Sequence, residues 1–190
     1  MRGRGWALAG LSMLLAGCTG GPADPGPGTG PGPDARPSVS PPNGRIAADM
    51  LRDTTLPVPA WPAGVGACVA GPVRFTGGSA SGPGLGTRTE LKDVIYLDVD
   101  RDGAEETVVR LECSGTGGSV GQVVALDRDP TGAIVPLGRV TATEPPARTI
   151  YAIRAGANGV VEVEAGDQAK RQWRGYAWDR GGFHQVSGPS

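Results

Sequence analysis

The residues best equipped for chemistry lie in one short stretch, YLDVDRDGAEETVVRLEC, residues 96–113. Asp98, Asp100 and Asp102 alternate, Gly103 follows at once, and Glu106 comes three residues later. Alternate side chains of a tight loop can turn inward to one point, and glycine permits the sharp bend this requires. Hard divalent cations take roughly six to eight oxygens at about 2.3–2.6 Å, and calcium tolerates irregular geometry. Asp98, Asp100, Asp102 and Glu106 offer carboxylates, and the carbonyl oxygen of Ala104 falls between them. The spacing is not that of an EF-hand. The twelfth position, which should hold a bidentate Glu, is Val109, and β-rich rather than helical sequence flanks the loop. Without a cation, converging carboxylates repel and raise one another's pKa. At a water-exposed hairpin tip they can instead fan apart at little cost. Two readings stay open: a structural calcium site that pins a hairpin, or a solvated acidic turn.

Other chemistry-bearing residues are sparse. Asp127-x-Asp129-x-Thr131-Gly132 has a similar start but carries Pro130 and lacks the later carboxylates, so it reads as a turn. His184 is the only histidine and reads as a surface strand residue. No phosphate-cradling loop appears. An acid pair for glycoside hydrolysis should flank a cleft built from separate elements, whereas Asp98 to Glu106 belong to one local loop. The residues therefore point away from an enzyme.

The elements that must position the acidic loop read as β. Val94–Leu97 and Thr107–Leu111 flank it and are rich in β-branched residues. Val73–Phe75, with Gly77-Gly78 after it, precedes them. Val120–Leu126 and Ala133–Val140 form a second pair, and Ile150–Ile153 and Val160–Val163 a third around the turn signal Asn158-Gly159. Trp173–Trp178 and Phe183–Val186 close the chain. Long helical periodicity is absent, so the expected fold class is all-β: an antiparallel meander forming an open curved sheet, small barrel or sandwich. A full propeller needs at least four blades of roughly 40 residues, more than residues 53–190 supply. Trp61, Trp173, Trp178 and Phe75, with the Val/Ile/Leu alternation, are the expected contacts between sheet faces. One short helix is expected before the strands, capped by Asn43, with Ile46, Met50 and Leu51 on its buried side.

The chain has 190 residues and a formal net charge of −1, so no long-range field draws it to nucleic acid. Arg2 and Arg4 precede an apolar run, Trp6 to Ala16, which is too short to span a bilayer of about 30 Å as a helix. The run ends in Leu15-Ala16-Gly17-Cys18, which resembles the lipobox of bacterial lipoproteins. That resemblance implies a signal peptide over residues 1–17 and a diacylglyceryl anchor on Cys18. It places the protein on the outer face of a cell membrane, held by the lipid bilayer and not spanning it. Residues 18–43 then form a Gly/Pro-rich tether that cannot offset its ordering entropy by burial. Extended at about 3.1 Å per residue, it reaches at most roughly 80 Å. The folded domain is expected over residues 44–190. Cys68 and Cys113 are the cysteines left after lipidation, and in an exported chain they are expected to pair.

The acidic stretch also resembles the calcium loops of FG-GAP repeats, as in integrin alpha chains, where D-x-D-x-D-G-x-x-D joins two antiparallel strands. Here Glu106 stands in place of the last Asp, and the resemblance covers about 20 residues. It implies a structural calcium held by Asp98, Asp100, Asp102, Ala104 and Glu106. Two functions follow from these readings. One is a non-enzymatic lipoprotein whose domain binds an envelope protein or polysaccharide. The other is a carbohydrate- or cell-wall-acting domain that uses Trp61, Trp173, Tyr176 and Trp178 as a platform. Trp173 and Trp178 are five apart and fall on opposite faces of a regular strand, which favours the first.

Overall fold

The computed structural model describes residues 43–62, 68–84, 86–143 and 149–189. The expected leader, Cys18 and residues 19–42 of the expected tether lie outside them. The described chain is built mostly of strands: β1 (Thr55–Val58), β2 (Gly71–Arg74), β3 (Ser79–Ser81), β4 (Arg88–Leu97), β5 (Glu106–Gly115) and β6 (Gly118–Arg128) come first. Then follow β7 (Ile134–Ala142), β8 (Thr149–Ala155), β9 (Val161–Gly166), β10 (Arg171–Asp179) and β11 (Gly182–Ser187). A short α-helix, α1 (Ala48–Arg52), precedes them, and a 3-10 turn, Ala157–Gly159, joins β8 to β9.

Strands adjacent in sequence are adjacent in space, so the fold is an antiparallel meander. β1 and β2 form a two-stranded sheet, β3 to β7 a five-stranded sheet in sequence order, and β8 to β11 a four-stranded one. None of the three closes into a barrel.

The five-stranded sheet is covered on both faces, and the reason is visible in β5 and β6. On these strands, apolar side chains fill both alternating sets of positions. Val109, Leu111, Val124 and Leu126 turn to one side, where they meet Ile46, Leu51, Leu56, Val58, Val73 and Phe75 from the N-terminal segment, α1, β1 and the end of β2. Val108, Val123 and Ala125 turn to the other, against Ile153, Val161, Val163 and Tyr176 of the four-stranded sheet. Each Leu, Val or Phe fully withdrawn from water contributes about 1.5–3 kcal/mol, so the two cores together dominate stability. The disulfide Cys68–Cys113, with Cα atoms 6.1 Å apart, ties the segment after Trp61 to β5.

Several local expectations change. α1 is not capped by Asn43: its N-cap is Ala47, with no side-chain hydrogen bond, and Asn43 Oδ1 instead accepts from Arg45 N at 2.9 Å. Ile46 therefore lies before the helix, and Met50 is 51% exposed, because the short helix turns only Leu51 inward. β4 begins six residues before Val94, since the polar run Arg-Thr-Glu-Leu-Lys already alternates exposed Arg88 and Lys92 with buried Thr89 and Leu91. Trp61 and Trp178 pack at the edges of the two cores. Trp173 does not bridge sheets; it lies half-buried beneath the Arg154 guanidinium, 4.0 Å from its ring centre.

Phe75 is fully buried at the centre of the first core. Phe75→Ala should lower the unfolding free energy by about 3–5 kcal/mol, as measured by denaturant titration. A loss below about 1 kcal/mol would contradict this packing.

Candidate metal centre

The loop that carries the acidic residues is closed by the register of β4 and β5. Leu97 pairs with Glu106, leaving Asp98 to Glu105 to cross between the strands. Two left-handed residues fold it back, Arg101 at φ 66° and Gly103 at φ 93°. Side chains of the loop then satisfy its own backbone. Asp98 Oδ2 accepts from Gly103 N at 3.1 Å, Asp100 Oδ1 from Asp102 N at 3.1 Å, and Asp102 Oδ1 from Ala104 N at 2.8 Å.

Asp98, Asp100 and Glu106 come together. One carboxylate oxygen from each lies within 4.8 Å of the other two. Two oxygens bound to one calcium at about 2.4 Å stand at most about 4.8 Å apart, so the spacing suits a common divalent ion. Asp98 Oδ1 is buried and has no hydrogen-bond partner. Such an orphaned acceptor normally costs about 1–3 kcal/mol. Asp102 stands outside the group, exposed and turned to the Ala104 N–H.

Glu106 is the buried member, 1% exposed. Its Oε2 accepts from Val99 N at 2.6 Å, and Val99 is itself 1% exposed in the second core. Burial, reinforced by the Asp100 and Asp127 carboxylates, pushes the Glu106 carboxyl up to about 7 against the opposing backbone N–H groups. Asp100 is raised for the same leading reason, burial, with the charges of Asp102, Asp127 and Asp98 adding to it.

Asp127 is the residue that sequence reasoning missed. The segment around it was expected to be only a turn, and Asp129 does form one: its Oδ1 accepts from Thr131 N at 2.9 Å, Thr131 Oγ1 at 2.6 Å and Ala133 N at 3.0 Å. Asp127 belongs to β6 instead. Thr107 pairs with Leu126, so the next position along each strand sets Asp127 opposite Glu106. The signal lay in the tight turn at Thr116-Gly117: counting back along both strands from it yields that pairing.

The loop is braced from two sides. At its base, Thr107 Oγ1 accepts from Ile46 N at 2.7 Å and donates to Gly44 O at 2.9 Å, and Arg45 pairs with Glu105 at 2.9 Å. On the other side, Arg101 Nε donates to Asn158 O at 3.3 Å, and Asp98, Arg101, Asn158 and Gly159 line an open cleft.

The aromatic residues do not form one face. Tyr176 is buried in the second core, Trp178 packs on Phe183 with ring centres 5.1 Å apart, and Trp61 Nε1 donates to Val69 O at 2.7 Å. Exposed His184 lies in β11 with Nδ1 3.3 Å from Asp179 Oδ2. Compared with known proteins, the chain matches no family, no curated protein and no solved structure.

Glu106 makes stability depend on pH when no cation is bound. Its folded pKa of about 7 lies above the ordinary 4.5, so the folded state binds more protons between those values. The resulting stability is fully present below about pH 4.5 and is lost as pH rises through 7. Glu106→Gln, kept neutral, should therefore match wild type in chelator near pH 4.5 and exceed it near pH 8, by up to about 3 kcal/mol. Parallel denaturation curves across that range would contradict the assignment.

Proposed function

We propose that the chain is a lipid-anchored extracytoplasmic protein whose β domain holds a structural calcium ion and acts by binding an envelope component, not by catalysis. The observation that carries the calcium reading is the convergence of Asp98, Asp100 and Glu106 around a buried, unpartnered Asp98 Oδ1. All donors in the group are carboxylate oxygens, with no imidazole or thiolate, which is the donor set of a hard cation. Magnesium demands near-octahedral geometry and keeps several waters, whereas calcium accepts irregular, partly buried carboxylates. A divalent ion would take the place of the Glu106 proton and relieve the mutual repulsion of the cluster. Asp127 would then add charge from the neighbouring strand.

The anchor reading rests on Leu15-Ala16-Gly17-Cys18 and on the Gly/Pro-rich segment after it. The disulfide Cys68–Cys113 agrees with an oxidising compartment. Outside the cell, calcium affinities of about 10⁻⁴–10⁻³ M are sufficient for occupancy. No aromatic platform supports the carbohydrate reading, because Tyr176 and Trp178 point into the second core while Trp173 lies under Arg154 on the opposite side.

Calorimetric titration of the full chain in detergent should give one calcium site, and a Tm that rises with calcium concentration. At one hundred times Kd the gain is about 2.7 kcal/mol. Asp98→Asn/Asp100→Asn should abolish both effects. No heat and no Tm shift at about 10 mM calcium would reduce the loop to an acidic turn.

The anchor has its own test. Cys18→Ser should move the protein from the membrane fraction to the soluble extracytoplasmic fraction. Retention in the membrane would overturn the lipid attachment.

A further inference from the structure

We infer that the cation site is also the joint that docks the four-stranded sheet onto the five-stranded one, so that calcium occupancy controls how tightly the second core stays closed. This rests on the calcium reading above.

The acidic loop touches the four-stranded sheet at three points. Val99, between two of the carboxylate residues, is 1% exposed and buries its side chain in the second core, to which Val161 and Ile153 of the facing sheet also belong. The Asp98 carbonyl presses on Gly159 in the β8–β9 turn. A β-carbon there would come 2.5 Å from Asp98 O and 3.1 Å from Val99 O, so only glycine, at φ 72°, allows the approach. Arg101 reaches the same turn through Asn158 O.

These contacts are tied directly to the carboxylates. Glu106 Oε2 fixes the Val99 N–H, and Asp98 supplies both the orphaned Oδ1 and the carbonyl that meets Gly159. A cation drawing Asp98, Asp100 and Glu106 together thereby sets the backbone that the β8–β9 turn rests on. Without it, the carboxylates of Asp98, Asp100, Glu106 and Asp127 push apart at that corner. What remains there is non-directional apolar packing, chiefly of Val side chains. The opposite corners are held otherwise, by Arg110 Nη1 donating to Ile150 O at 3.1 Å and by Trp178 and Phe183 against Gly138. The joint therefore opens from the loop side.

If calcium binds the docked form alone, it suppresses opening in proportion to its saturation, on the order of 100-fold at one hundred times Kd. Hydrogen exchange of the full chain in detergent, with calcium or with chelator, reads this directly. Amides of the β8–β9 turn and of Val161–Gly166 should slow by about that factor, although no proposed ligand lies there. Val99→Ala/Arg101→Gly removes two of the three contacts but no ligand; it should bind calcium with Kd within about threefold of wild type and lose at least tenfold of that protection. Arg101→Gly alone, which relieves a left-handed backbone, should show the same direction if the double variant folds poorly. Calcium binding with slowed exchange confined to residues 98–106, or full protection in the variants, would overturn the joint and leave the calcium site standing. No calcium binding would overturn both.

Discussion

A carboxyl group that is 1% exposed at the first position of β5 constrains everything around it. Withdrawing an ionised carboxylate from water costs several kcal/mol even after relaxation. The hydrogen bond that Glu106 accepts from Val99 N returns about 1.5–3 kcal/mol, and the Asp100 N–H adds a smaller share. These bonds do not offset the burial of the charge, and the nearby Asp100 and Asp127 carboxylates add to its cost. Glu106 therefore favours a bound proton or a cation, and the fold is less stable where it has neither. The raised pKa is one expression of that constraint, and the proposed calcium site is the other. The rest of the corner follows from it: the loop is wound tightly, Val99 is held inward, and the β8–β9 turn packs on the loop backbone.

The layering of the domain places this group where it matters. β5 and β6 belong to both cores at once, so neither strand can shift register without moving apolar side chains on two faces. Glu106 and Asp127 sit at the ends of those two strands, side by side. The N-terminal segment closes the other flank through Gly44, Ile46 and Thr107. A charge change at the carboxylates is thus felt by the N-terminal segment, the central sheet and the four-stranded sheet.

Much of this was legible from sequence, for physical reasons that differ by element. Strands with β-branched runs, such as Val94–Leu97, Thr107–Leu111 and Val160–Val163, announce themselves by composition, and Asn158-Gly159 announces the turn between two of them. β1 and β3 did not, because Pro57 masks the first and Ser-Ala-Ser the second; both acquire their pairing from tertiary context. The helix end misled because Asn43 suits a cap by type but lies too far from Ala48. At the site, the local spacing brought out Asp98, Asp100 and Glu106. It could not reveal that Asp102 turns to its own backbone, nor that Asp127 arrives from the next strand, since both depend on loop winding and strand register.

The claim that Glu106 holds a proton until a cation displaces it is tested most directly by counting protons released on calcium binding. Calorimetry in buffers of different ionisation enthalpy gives that count at each pH. With a folded pKa of about 7, release should approach one proton per calcium near pH 5.5, fall to about half at pH 7 and vanish near pH 8.5. Glu106→Gln should release none in this range. A count that stays near zero from pH 5.5 to 8.5 while calcium still binds would contradict the account.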